Sequence, residues 1–222
     1  MPQHAVTPHP RAVDSGTADL AAADQGDPVG LQDQIDRAWV LMHADATAAL
    51  DLARQAEVRA TALAHGSLAG RAQHAAGMAE CMLGRIAHGA STLRDATAAL
   101  QRHGPPLAAC GAWRDLGSVL TNLTGDVPAG IEALQQALTL ARGVDDPQEQ
   151  GLVLLRLGPL LGRMGRLDEC ESALQGAAAL LQHGPDTRVH ANALVNLGFL
   201  AVQRNDPAAA VPLLLQARAL YD

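Results

Sequence analysis

The sequence predicts an all-α fold, an α-solenoid of about five antiparallel helix hairpins, and three observations carry that expectation. Ala (45 residues) and Leu (34) make up more than a third of the 222-residue chain, and both favour helix. One Phe, one Tyr and two Trp leave too few large β-formers for a sizeable sheet. From Leu31 onward, residue types recur at a fixed offset of 40–41 positions, which is the signature of a repeat array.

Residues 1–27 come first. Pro2, Pro8, Pro10, Gly16 and Gly26 interrupt them and no apolar period runs through them, so a disordered, solvated tail is expected, with His4 and His9 in it. The repeat domain then covers residues 28–222, in units of about 28–66, 67–104, 105–143, 144–184 and 185–222. Each unit turns at one residue of the column His43, Gly84, Gly125, Gly165 and Asn205, spaced 41, 41, 40 and 40. Five residues past each turn stands a small side chain: Ala48, Gly89, Gly130, Cys170 and Ala210. Nine past it stands a leucine: Leu52, Leu93, Leu134, Leu174 and Leu214. Twelve past it, Ala96, Ala137, Ala177 and Ala217 form a further column, with Gln55 as the exception.

Before the turn, Leu116-Gly117, Leu157-Gly158 and Leu197-Gly198 align, with Ala76-Gly77 one repeat earlier. Each unit is therefore read as two helices. Glycine on the first faces small residues and Leu on the second, so that the axes approach closely. Leu167, Cys170, Leu174, Ala177 and Leu181 step by three and four, making one apolar stripe. Gly66, Gly104, Gly143 and Gly184 each follow a His or Arg and read as helix C-terminal glycines. Asp126 and Asp206 read as N-caps, and Pro207 as a first helical residue. Pro159 and Pro212 fall inside helices and are expected to kink them.

Composition also excludes chemistry. All 16 basic residues are Arg; without Lys there is no P-loop lysine, kinase lysine or Schiff-base lysine. The net charge of −7 is spread along the chain, and no basic block points to nucleic acid. No apolar run reaches the ~20 residues that span a bilayer, and no signal-peptide core is present, so a cytoplasmic location is expected. Cys81, Cys110 and Cys170 lack metal or redox spacing and read as buried, reduced thiols.

The Leu-Gly, turn, small, Leu, Ala pattern resembles the tetratricopeptide repeat, best in the third unit through Trp113, Leu116, Gly117, Gly125, Asp126, Gly130, Leu134 and Ala137. The first unit departs most, with Ile35-Asp36 in place of Leu-Gly. The period exceeds the family's 34 residues by six or seven, implying longer helices or connections. The opening unit, Ile35 to Leu50, is similar to arrays that precede a diguanylate cyclase or histidine kinase in bacterial signalling proteins. The resemblance implies either a protein-interaction scaffold in bacterial signalling or regulation, or the sensory portion of a longer signalling enzyme.

No catalytic residue, metal site or cofactor is expected. Glu132-Ala133-Leu134 spells a phosphodiesterase signature but lies mid-helix, with Leu134 in the packing column. The nine His residues include no pair with the spacing of a helix-borne metal site. Gly158 to Gly165 is glycine-rich without a preceding strand. The one site that the resemblance implies is the concave face, lined by first helices. Projection places Arg71, His74, Met78, Arg114, Ser118, Asn122, Arg156, Arg163, Asn192, Asn196 and Phe199 near it. Arg binds carboxylates in two-toothed fashion and Asn bonds a peptide backbone, so the expected partner is a protein or peptide with acidic groups. The lysine-dependent carboxylate clamp of the family is unsupported, since the chain has no Lys and has Ser118 where Asn would serve. The last helix, with Val211, Leu214 and Leu215, suggests self-association; nucleic acid and membrane are not expected partners.

Overall fold

The computed structural model describes residues 28–221; the tail expected over 1–27 lies outside them. Ten α-helices fill the described residues, with no strand among them. They are α1 (Pro28–Leu41), α2 (Ala46–Ala62), α3 (Gly66–Met82), α4 (Ile86–His103), α5 (Pro106–Val119), α6 (Val127–Gly143), α7 (Pro147–Arg163), α8 (Leu167–Leu181), α9 (Thr187–Gln203) and α10 (Pro207–Tyr221). Odd-numbered first helices pair with even-numbered second helices, and each first helix also touches the first helix of the next hairpin. Connections are short, so the longer period lies in the helices, five of which run to 17 residues and one, α4, to 18.

The glycine columns are the sites of closest approach within hairpins. A Cβ at Gly77 would lie 2.9 Å from Leu93 Cγ, and one at Gly117 would lie 2.8 Å from Leu134 Cγ. At Gly158 the distance to Leu174 Cγ would be 2.6 Å, and at Gly198 it would be 2.7 Å to Leu214 Cδ2. Carbon atoms pack best at about 3.5–4.0 Å, so only glycine lets the leucine seat. The core changes character along the array. Between α1, α2 and α3 it is largely alanine (Ala38, Ala49, Ala53, Ala75, Ala76 and Ala79), whereas α6 to α9 build theirs from Leu134, Leu138, Leu157, Leu160, Leu174 and Leu197. Few aromatics are needed, because small residues close the gap that rings would fill.

Five helix ends share one device. The backbone N–H groups of His65, Arg85, Asp146, Arg166 and Asp206 donate to the carbonyls of Ala60, Glu80, Ala141, Leu161 and Ala201, five residues back. The residue before each donor is left-handed: Ala64, Gly84, Asp145, Gly165 and Asn205. Of the expected C-terminal glycines, Gly104 is the residue just past α4, its N–H bonded to the Leu100 carbonyl though its backbone is extended, and Gly143 is the last residue of α6. The expectation is corrected for Gly66, which is the first residue of α3, and for Gly184, which lies beyond the α8 cap at Gln182 and has no positive φ. Between hairpins Ala64 and Asp145 take the strained conformation, because the hydrogen-bonded turn requires it whatever the residue. His43 likewise has no positive φ, unlike the rest of its column. Asp45, Asp126, Asp146 and Asp206 cap α2, α6, α7 and α10 through their side chains.

Two further features have local causes. Both α7 and α10 continue through Pro159 and Pro212. In α7 the preceding Gly158 has no Cβ to meet the proline ring. After α5 the backbone widens into a π-helical turn, Leu120–Thr124. Gly117 and Gly125 are eight residues apart, where the equivalent glycines and turns of the second, fourth and fifth units are seven apart. The π-turn absorbs that one extra residue and keeps Gly117 opposite Gly130.

Candidate functional site: a cationic groove on the first helices

Contacts between consecutive first helices join residues about one repeat apart, such as His74 and Asp115, so these helices are parallel and in register. In the first half of the array their inner side chains bind one another. The Arg71 guanidinium of α3 donates to Gln32 and lies 3.6 Å from Asp36, both on α1. His74, also on α3, sits edge-on to Trp39, 4.9 Å between ring centres, and its Nε2 is 3.0 Å from an Asp115 carboxylate oxygen on α5. Arg114 of α5 pairs with Glu149 of α7 and lies 3.5 Å from Asp115. Burial alone would raise the Asp115 carboxyl. The hydrogen bond from His74 and the charges of His74, Arg114 and Arg156 outweigh it, and hold that carboxyl below its ordinary range.

Beyond this latticework the face opens. The C-terminal end of α5, its π-turn, α7 and α9 enclose a groove of about 470 Å³. Ser118, Asn122, Arg156, Arg163, Asn192 and Asn196 line it together. Phe199, 63% exposed, stands in an adjoining recess that shares Arg163 and Asn196. Of the eleven projected residues, these seven converge. Arg71, His74 and Arg114 are engaged between helices, and Met78 is partly buried against the core clusters on either side of it, one around Leu93 and Leu116 and one around Ala75 and Ala79. His74 is thus neither a groove residue nor a solvated surface one.

The groove has a definite polarity. Arg156 and Arg163 are its two charged residues, no carboxylate lines it, and neither arginine makes an ion pair among the described residues. In a chain of net charge −7 this is a local cationic island. Its apolar lining is Leu152, Leu155, Pro159, Leu160, Val189 and Val195, with Leu134 and Thr121 at the α5–α6 side. Asn192 accepts a 2.6 Å hydrogen bond from the Tyr221 hydroxyl, which orients its amide. Such a surface binds carboxylates through Arg, backbone or amide groups through Asn, and apolar side chains between them. Sequence reasoning missed the apolar lining, because Leu152, Leu155, Val189 and Val195 read as core. The available signal was spacing: Leu152 stands four residues before Arg156, and Val189 and Val195 stand three residues either side of Asn192.

A second charged cluster lies elsewhere. Glu80, 2% exposed, accepts from Arg54 (2.5 Å) and Thr92 (2.8 Å), joining α2, α3 and α4. It cross-braces the Ala-rich half. Glu132 is exposed in mid-α6, while Leu134 fills the pocket against Gly117. Cys81, Cys110 and Cys170 are free and buried. Burial, with the Glu80 and Glu149 charges respectively, pushes the Cys81 and Cys110 thiols up to about 11. No group of three His, Cys, Asp or Glu among the described residues could hold a metal ion, and none of the described helices is long and apolar enough to cross a membrane.

Comparison with known proteins agrees with this architecture. Residues 149–222 match the family model described as tetratricopeptide repeat. No curated protein sequence matches the chain. Among solved structures, BtubC (BKLC) from P. vanneervenii superposes with a TM-score of 0.78 at 18% identity, over 92% of this chain and 86% of that one. YrrB, a tetratricopeptide repeat protein with an unusual peptide-binding site, gives 0.56 at 19% identity over 92% of each chain. A signal-transduction ATPase from Pyrococcus horikoshii with a tetratricopeptide repeat sensor gives 0.70 at 11% identity, over 86% of this chain and 30% of that one. The described residues form a tetratricopeptide-like α-solenoid, and the family's own sequence pattern is recognised in residues 149–222.

Proposed function

We propose that this chain is a non-enzymatic interaction scaffold that takes a protein segment bearing acidic groups into the groove of α5, α7 and α9. The carrying observation is that groove's composition: two arginines, no carboxylate, an apolar floor and three asparagines, on an otherwise acidic protein. Opposite charge raises the encounter rate and fixes register, while the apolar floor supplies affinity. The peptide-binding site of YrrB supports the reading by analogy of fold. The test is affinity capture from the native host with wild type, with Arg156→Glu/Arg163→Glu, and with Arg71→Glu. Partners lost from the first variant and kept by the second support the groove. Partners kept by both place the binding surface elsewhere.

A bacterial signalling role is part of the proposal. A second reading, that the chain is the sensor portion of a longer signalling protein, draws support from the ATPase, whose repeat sensor is one part of a larger chain. Reading the gene beyond Asp222 tests it; an output domain there supports this reading and a stop codon removes it.

A further inference from the structure

The shape of the groove selects the conformation of its occupant. Its walls run along helices. On α7, Leu152, Leu155, Pro159 and Arg163 step by three and four; on α9, Val189, Asn192, Asn196 and Phe199 do the same. At ~1.5 Å per residue these walls are roughly 15 Å long, parallel to the helix axes. At right angles to them the path is closed toward α1 and α3. An extended chain continuing from the groove across the array would need the inner positions of α3, and of α5 at Arg114 and Asp115. Those are held in the pairs Arg71 with Gln32 and Asp36, His74 with Asp115, and Arg114 with Glu149.

Chemistry points the same way. An extended peptide brings unpaired backbone N–H and C=O groups along its whole length that its site must satisfy; the asparagines can meet some of them, but half of the residues that line this groove are Leu, Val and Pro. A helix brings its backbone already paired and offers an apolar stripe. Arg156 and Arg163 stand seven residues apart on α7, two turns and about 10.5 Å along one face. Carboxylates at i and i+7 of a second helix repeat that separation.

We propose that the occupant is an amphipathic partner helix lying along α7 and α9, with two carboxylates seven residues apart paired to Arg156 and Arg163. Leucine-sized side chains between them rest on Leu155, Pro159 and Val195. This deepens the groove reading and rests on it.

The probe is a hydrocarbon-stapled 18-residue peptide with glutamates at i and i+7 and leucines at i+3 and i+4, labelled for fluorescence anisotropy against the full chain. Two isomers accompany it: one broken by a central proline, and one with the glutamates at i and i+5, on different faces. The stapled i, i+7 peptide is expected to bind at least tenfold more tightly than either. Its amide-shift footprint should be confined to α5, α7 and α9. Replacing its glutamates by lysines should abolish binding to wild type and restore it to Arg156→Glu/Arg163→Glu. Equal or tighter binding of the proline isomer overturns the helical occupant, as does a footprint reaching α1 and α3. If that binding still disappears in Arg156→Glu/Arg163→Glu, the groove itself stands. No binding by any of the three peptides also overturns the helix proposal, and the captured partners then decide the groove separately.

Discussion

Gly111 and Gly117 lie six residues apart on one helix, and replacing each with alanine should move stability in opposite directions. In a helix interior alanine is better than glycine by about 0.8–1.0 kcal/mol. At Gly111 nothing opposes that gain: the new Cβ would lie 3.9 Å from Arg114 Nη2 and 4.0 Å from His74 Cε1, ordinary contacts. At Gly117 the new Cβ would lie 2.8 Å from Leu134 Cγ and 3.0 Å from the Gly130 carbonyl oxygen. Leu134 is wholly buried and the carbonyl belongs to the α6 backbone, so relief requires the two helices to separate by several tenths of an ångström. Overpacking of this kind costs about 1–3 kcal/mol, leaving a net loss of up to about 2 kcal/mol after the propensity gain. Thermal melts followed by circular dichroism measure the difference. At about 2–4 °C per kcal/mol for a chain of this size, Gly111→Ala should raise the Tm by a few degrees and Gly117→Ala should lower it by a few. Equal shifts of the same sign would refute the close-approach account of the glycine column. Combining Gly117→Ala with Leu134→Ala should remove the part of the clash that Leu134 makes and leave that with the Gly130 carbonyl, so the two changes should be less damaging together than their sum.

Asp115 makes stability pH-dependent. Its carboxyl is held below the ordinary carboxylate range, so its contribution is complete above about pH 4 and fades as pH falls through the lowered value. Asp115→Asn should therefore lower stability at neutral pH and flatten the acid limb of a Tm-against-pH curve; an unchanged limb contradicts the pairing. Arg54→Leu strips the main counter-charge from buried Glu80 and should cost about 2 kcal/mol in urea melts, less than the full loss of a wholly buried pair because Arg54 is 37% exposed. Arg166→Leu, which breaks the exposed pair with Glu169, should leave the midpoint unchanged. Thiol titration with Ellman's reagent at pH 8 should find the native cysteines unreactive and all three reactive in denaturant, since burial protects them and raises Cys81 and Cys110 to about 11. Rapid native reaction would contradict that burial.

The repeat columns were legible because each has one physical cause. Glycine opposite leucine sets the helix separation, and the turn residue closes the hydrogen-bonded helix end. Even the π-turn has a sequence trace, in the extra residue between Gly117 and Gly125. The left-handed Ala64 and Asp145 left no such trace, since the connection, not their own propensity, imposes the conformation. The candidate site was half legible. Helical projection puts Arg71, His74, Arg114 and Arg156 on a common face, but their roles depend on what stands one repeat away. Asp36, Asp115 and Glu149 meet the first three, and among the described residues Arg156 has no ion-pair partner. Pairing between helices is a property of the superhelix, and the period alone does not encode it.

Peptide display tests the central claim most directly. Random peptides selected on wild type should carry two or more Asp or Glu with apolar residues between them. The same pool on Arg156→Glu/Arg163→Glu should lose them. Enrichment of neutral or basic sequences on wild type, or recovery of one peptide set by both proteins, would contradict a cationic groove on α7 as the partner site.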